Sequence, residues 1–236
     1  MSFLNKDLFL LDGVNQKVAD LVNRFTSPID IIKNYKDELL SHLNGQVIEG
    51  TVEDGAEIIG DVFIGAGSII HAGAVIQGPV YIGKNCSIRP HANIRHDTYL
   101  CDNVIAGHSA DINKSLIMNG AKVQDGTYAG ESLLGKAARV GSGAIMANRK
   151  FNQTPIRVDL GQGYEDTGME YLGCIMGDQS RLGANVVTSP GSIVGMHTWI
   201  GSGVVVHGSI PSNKLVTVKQ ELDIREKEPV ELGKGR

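Results

Sequence analysis

TVEDGAEIIGDVFIGAGSIIHAGAVIQGPVYIGKNCSIRPHANIRHDTYLCDNVIAGHSADI, residues 51–112, carries an aliphatic side chain or alanine at every sixth position. The series is Val52, Ile58, Ile64, Ile70, Ile76, Ile82, Ile88, Ile94, Leu100, Ala106 and Ile112. Glycine follows several of these (Gly65, Gly83, Gly107), and a small residue stands four positions on (Ala56, Ala74, Cys86, Ala92). A period of six matches neither the 3.6 residues of a helix turn nor the alternation of an ordinary strand. It matches a solenoid in which each hexad is a short strand plus a turn, the aliphatic pointing into a narrow prism. The spacing therefore predicts a mainly β fold, a single-stranded left-handed parallel β-helix.

Composition limits the partners. With 22 basic and 26 acidic residues in 236, net charge -4, the chain lacks the basic excess that nucleic acid or an anionic membrane surface would draw. Thirty glycines without a three-residue period suit tight corners. The three cysteines, Cys86, Cys101 and Cys174, have no metal-ligand spacing, and Cys86 and Cys101 read as small residues filling the prism. The apolar run Leu8-Phe9-Leu10-Leu11 is too short for a signal peptide and lacks a basic start. The expectation is a soluble, cytoplasmic protein.

Working outward, residues 1–45 leave the hexad period and read as an N-terminal helical cap over the first coil. Val18, Leu21, Val22 and Phe25 share one helical face; Ser27 and Pro28 then open a second helix with an apolar stripe of Ile29, Ile32, Leu39, Leu40 and Leu43, ended by Asn44-Gly45. Residues 46–148 form a first β-helix block. Its register slips by one residue between Ile112 and Ile117, resumes at Val123 and Ala129, and slips again before Leu134. A flat prism face cannot absorb such deletions without local distortion, so a site is expected beside them. Residues 149–173 form a polar excursion loop. The hexads return over 174–210, at Met176, Leu182, Thr188, Val194, Ile200 and Val206, and 211–236 reads as a strand followed by a charged, solvated tail.

The stretches SLIMNGAKVQDGTYAGESLLGKAARVGSGAIMANRKF (115–151), LGCIMGDQSRLGANVVTSPGSIVGMHTWIGSGVVV (172–206) and IPSNKLVTVKQ (210–220) carry a more specific signal. Together they resemble the acetyltransferase domain of bifunctional N-acetylglucosamine-1-phosphate uridylyltransferases, most of all the archaeal sugar-1-phosphate nucleotidylyltransferase/acetyltransferases, within the hexapeptide-repeat acyltransferase superfamily. No counterpart of their nucleotidyl-transferring domain is read in these residues. The resemblance implies an acyl-CoA co-substrate, acetyl-CoA foremost, an amino sugar phosphate or nucleotide-linked amino sugar as acceptor, a homotrimer with clefts between prisms, and no metal. It also implies roles by position. Arg89 would hold sugar-phosphate oxygens, Tyr128 in TYAGE the sugar, and Asn148 in ANRKF would orient the amine and acyl group. Asp111 stands where the family has glutamate, and the family's next lysine falls on Asn113 or Lys114. Lys136, Arg149, Lys150 and Arg181 are basic residues expected near the cleft, without individual roles.

The sequence departs from that pattern at one position. The family's general-base histidine, three residues before the tyrosine, is Asp125. Histidine's pKa near 6.5 suits proton transfer at neutral pH, whereas an ordinary aspartate titrates near 3.9. Asp125 as base in a burying environment, a different histidine (His108 or His96) as base, simple positioning of a neutral amine, and a site that binds without turnover all remain open. Two other functions follow from the same residues. One is a non-catalytic, sugar-nucleotide-binding trimer that scaffolds or regulates a separate nucleotidyltransferase. The other is a metal hydratase resembling the γ-class carbonic anhydrases, suggested by His91 and His96 with a third histidine nearby. His71 and His197 read as surface or corner residues, as does His207.

Overall fold

The computed structural model describes residues 2–227; the last part of the expected charged tail, 228–236, lies outside them. From Gln46 to Val216 the chain winds as a three-faced parallel β-helix of very short strands. The first face stacks nine strands from Gln46–Ile48 to Ser209–Ile210, the second nine from Thr51–Val52 to Leu215–Val216, and the third eight from Glu57–Ile59 to Val205–Val206. All pair in parallel, each strand with its counterpart one coil on. The hexad residues fill the prism: from Ile64 through Ile112 the aliphatics are fully buried, as are Ile117, Val123, Leu134, Val140 and Met146 in the later coils. Removing one such side chain to alanine costs about 2–5 kcal/mol in a core that cannot collapse around the gap.

Coil length records the slips. Ile64, Ile82 and Leu100 are paired at 18-residue intervals. Leu100, Ile117 and Leu134 are paired at intervals of 17. The missing residue is at the corner between the third and first faces, where Lys114 (φ 46°) and Glu131 (φ 43°) take the left-handed conformation. Two buried serines close the shortened corners. Ser115 Oγ donates to the Asn113 carbonyl (2.8 Å) and accepts from the Ser132 N–H (3.0 Å); Ser132 Oγ donates to the Gly130 carbonyl (2.9 Å) and accepts from the Cys174 N–H (3.1 Å). Buried polar groups need such partners, and this column supplies them from one coil to the next.

The N-terminal segment folds as α1 (Asn5–Leu8), α2 (Gln16–Arg24) and α3 (Pro28–Tyr35), followed by a wider turn at Lys36–Leu40. Ser27 caps α3 as its position suggests, its Oγ accepting from the Ile29 N–H at 3.3 Å. The expected place of these helices needs correction. They do not cover the open end of the first coil, where Val47, Ile48 and Ile59 stay exposed; they lie along the outer side of the first face. There Tyr99, Leu116, Leu133, Ile175 and Ile193 point outward and are buried beneath Leu8, Val18, Leu21, Ile31 and Tyr35. The physical reason is area: an outward apolar column running several coils offers the helices' apolar stripe a longer partner than one coil edge does. Phe63, Tyr81 and Tyr99 begin that column as a stacked ladder, with ring centroids 4.8 and 4.3 Å apart. Cys101 also belongs to this outer layer, so of the three free cysteines only Cys86 and Cys174 fill the prism.

The excursion is ordered. It leaves after Ala147, forms an antiparallel hairpin of Arg157–Asp159 with Tyr164–Asp166, and buries Ile156, Val158 and Leu160 in the same outer layer. It rejoins the solenoid where the Leu172 N–H donates to the Asn148 carbonyl at 2.9 Å.

Asp178 ties the layers together. Its fully buried carboxylate accepts the Lys136 N–H through Oδ1 and the Leu10 N–H through Oδ2, both at 2.7 Å, and burial holds its pKa above the ordinary carboxylate value. An amide at this position keeps one acceptor and turns an N–H against the other donor. Asp178→Asn is therefore expected to lower stability by about 1–3 kcal/mol in urea unfolding; an unchanged midpoint would contradict the anchoring role.

Candidate functional site

Two corners of the third face gather the residues that the sequence singles out. The corner entering that face, from the second, carries Arg89, His91, His108 and Asp125. The corner leaving it, toward the first, carries Lys114, Glu131 and Asn148, with Asp111 and Tyr128 on the strands between.

At the leaving corner, Asn148 Nδ2 donates to the Tyr128 hydroxyl oxygen at 3.0 Å and to Glu131 Oε2 by a short hydrogen bond. Lys114 Nζ stands 4.0 Å from Glu131 Oε1. Asp111 pairs in register with Tyr128 and accepts from Arg95 Nε at 2.8 Å. Burial, then the Glu131 charge, raise the Tyr128 pKa; Arg95 and the Asn148 hydrogen bond oppose them. Gly130 makes the arrangement possible: a Cβ there would come within 2.4 Å of the Tyr128 hydroxyl and 2.7 Å of Asn148 Nδ2. The 17-residue coil brings the rest together, because the shortened corner draws Lys114 and Glu131 inward and leaves Glu131 only 7% exposed. Beside them, Asn113 Oδ1 and Asn93 Oδ1 are buried without a hydrogen-bond partner among the described residues.

At the entering corner, Asp125 Oδ1 accepts the His108 N–H at 2.9 Å and lies 3.9 Å from Arg89 Nη1. The His91 and His108 rings meet edge to face at 5.5 Å. The Asp125 contact repeats elsewhere in the solenoid. Asp102 Oδ1 accepts the Lys84 N–H and Asp178 Oδ1 the Lys136 N–H, each at 2.7 Å, in both cases an aspartate binding the corner of the preceding coil. Asp125 thus performs a corner-fastening task that the fold also gives to Asp102 and Asp178. His91 and His96 lie at opposite ends of the strand Asn93–Ile94, so the pair does not converge within one chain; among the described residues no three His, Cys, Asp or Glu side chains form a metal-binding group.

The basic residues without assigned roles divide. Lys136 Nζ donates to the Asp12 carbonyl and Lys150 Nζ to the Pro155 carbonyl, fastening the helical segment and the loop. Arg149 lies over the Tyr171 ring at 4.9 Å, and Arg181 over Trp199 at 5.3 Å on the second face. Two members of the cluster were missed in the sequence, Glu131 and Arg95. The signal for Glu131 was its place directly after a deletion, at a corner where a residue must turn sharply.

Residues 76–187 match the model of the GMPPB C-terminal domain. The Bifunctional protein GlmU of Methanocaldococcus jannaschii is 38% identical over 198 residues, 84% of this chain and 48% of that protein. The chain thus spans about half the length of the GlmU relatives it matches. The uncharacterized acetyltransferase YaiX of Escherichia coli O6:K15:H31 is 34% identical over 191 residues, 81% of this chain and 82% of that one. Among solved structures, the UDP-N-acetylglucosamine acyltransferase of Francisella novicida superposes with a TM-score of 0.44 at 17% identity, over 73% of this chain and 64% of that chain. On the coverage of YaiX and the identity to GlmU, the chain belongs to the family of GlmU-type acetyltransferase domains.

Proposed function

We propose that this chain is an acyl-CoA-dependent N-acyltransferase, with acetyl-CoA as donor and an amino sugar, carried as a phosphate or on a nucleotide, as acceptor. The observation that carries the reading is the Tyr128–Asn148 pair, a hydrogen-bonded amide and phenol set at the edge of an open face. In the reaction the amine nitrogen attacks the thioester carbonyl, the C–N bond forms, the C–S bond breaks, and the amine proton passes to a base while CoA leaves as a thiol. Asn148 orients the amine and Tyr128 holds the sugar. Arg89, exposed at the opposite corner, offers a guanidinium suited to phosphate oxygens, with Asp111 and Lys114 lining the ground between. Because Asp125 is committed to the His108 N–H and the Arg89 guanidinium, the exposed imidazole of His108 is the better proton acceptor of the two.

The same reading assembles three chains about a common axis, with sites in the clefts between prisms. The first face is covered by helices and loop, so the second and third remain for neighbours. Their exposed apolar side chains, Ile69, Trp199 and Leu215 on one and Ile145 and Val205 on the other, fit that use. No helix among the described residues is long and apolar enough to cross a membrane, which accords with a site reached from water. A second reading, a sugar-nucleotide-binding trimer without turnover, is favoured by the fastening role of Asp125.

Thiol release from acetyl-CoA across a panel of amino sugar phosphates and nucleotide-linked amino sugars separates the two; turnover with none, and no binding heat with acetyl-CoA, would overturn the acyltransferase reading. With an accepted sugar, His108→Ala is expected to lower kcat by roughly a hundredfold or more, while Asp125→Ala, which removes the acceptor of the His108 N–H, chiefly lowers the melting temperature. The reverse pattern would return the base to Asp125. Sedimentation analysis is expected to give a trimer, and Ile145→Asp with Val205→Asp to give monomers; a monomeric wild-type chain would sink the intersubunit cleft.

A further inference from the structure

We infer that Glu131 is a positioning residue: its buried carboxylate decides which atom of the Asn148 amide faces the substrate, and thereby which way the Tyr128 hydroxyl donates. The inference rests on the acyl-transfer reading above and adds to it a residue that acts through its neighbours.

An ionised carboxylate only accepts hydrogen bonds, so the Asn148 atom that meets Glu131 Oε2 must be the amide nitrogen. That same nitrogen donates its second hydrogen to the Tyr128 oxygen at 3.0 Å. Both amide hydrogens are then spent, and Asn148 Oδ1 is left as a free acceptor. The Tyr128 oxygen already accepts from Asn148, so its own proton is left to donate elsewhere. Burial and the Glu131 charge raise the phenol's pKa, which keeps that proton in place. Three structural features hold the lock: the left-handed backbone of Glu131 (φ 43°), the 17-residue coil that seats its side chain inside the corner, and the missing Cβ of Gly130 that admits both partners.

Acyl transfer needs this polarity. As the amine attacks, one of its N–H groups requires an acceptor, which Asn148 Oδ1 supplies. The carbonyl oxygen gathers negative charge as the C–N bond forms and requires a donor; Tyr128 holds the sugar by ring contact and is left with its O–H free to supply one. When the C–S bond breaks that charge returns to the carbonyl, CoA departs as the thiolate, and the proton lost by the amine is available to it. With glutamine at 131 the lock is lost, because an amide both donates and accepts: Asn148 is then free to turn over, and Tyr128 to donate to it instead of to the substrate.

The test is steady-state acetyl transfer from acetyl-CoA to the best amino sugar phosphate of the panel, with the full chain. Glu131→Gln is expected to lower kcat about tenfold or more, to leave KM for acetyl-CoA within about twofold, and to retain the far-ultraviolet circular dichroism of the wild type. Glu131→Asp, which stays acceptor-only at shorter reach, is expected to fall between them. In an Asn148→Ala background Glu131→Gln is expected to cost nothing further, since its effect runs through that amide. Wild-type kcat in Glu131→Gln, or an equal loss in the Asn148→Ala background, would overturn the positioning role while leaving the acyl-transfer reading intact. A wild-type chain that releases no thiol with any acceptor overturns both. Should Glu131→Gln not fold, Glu131→Asp run through the same cycle decides between the same outcomes.

Discussion

Every other feature of this molecule depends on one constraint: parallel strands of two or three residues must stack in register while their inward side chains fill a prism too narrow for anything larger than an aliphatic. With strands this short, no single coil buries enough surface to stand alone, and stability accrues only by stacking. The inward column is therefore intolerant of change, whereas the corners are not. A residue deleted from a corner leaves the columns on either side in register, provided that the backbone polar groups it exposes find partners. Ser115 and Ser132 provide those partners, and the corner they close is where Lys114, Glu131 and Asn148 are brought together.

The outward columns divide the remaining tasks. On the first face they are apolar on both sides of the strand, as in Val80–Ile82 and Cys174–Met176, and the outer side is buried by the helices and the excursion. The excursion is thus not a separate device hung on the solenoid. It leaves at Asn148, contributes Ile156, Val158 and Leu160 to the outer layer, and returns with the Leu172 N–H on the Asn148 carbonyl, which fixes the backbone of a candidate site residue from both directions. On the third face the outward residues are polar in the middle coils (Asn93, Asp111, Tyr128) and apolar later (Ile145, Val187, Val205), so the polar candidate site adjoins an apolar strip.

Part of the candidate site's geometry was legible. Tyr128 and Asn148 were singled out by resemblance and do touch; Arg89, Asp125 and His108 were singled out and share one corner. Asp125 was read as a possible base on its alignment with a histidine, yet its carboxylate binds a backbone N–H in the manner of Asp102 and Asp178. All three aspartates stand two residues after an inward side chain (Leu100, Val123, Met176), but that spacing acquires its meaning only from the contact with the preceding coil. Glu131, the last residue of TYAGE, drew no role in the sequence; its burial at the shortened corner gives it one.

The sequence by itself determined the solenoid, its two slips and its long excursion, because inward burial is a local demand repeated every six residues and any lapse in it is visible. It also determined that the N-terminal segment would be amphipathic helices, since their stripes follow the helical period. Only the tertiary structure decided where those helices lie, because an apolar stripe states that it needs a partner without naming which one. The same holds for the site. Asp111 and Tyr128 are 17 residues apart, and Tyr128 and Asn148 are 20 apart; they become neighbours through coil length and corner geometry, and the direction of the hydrogen bonds among them is set by a carboxylate that only burial brings into reach.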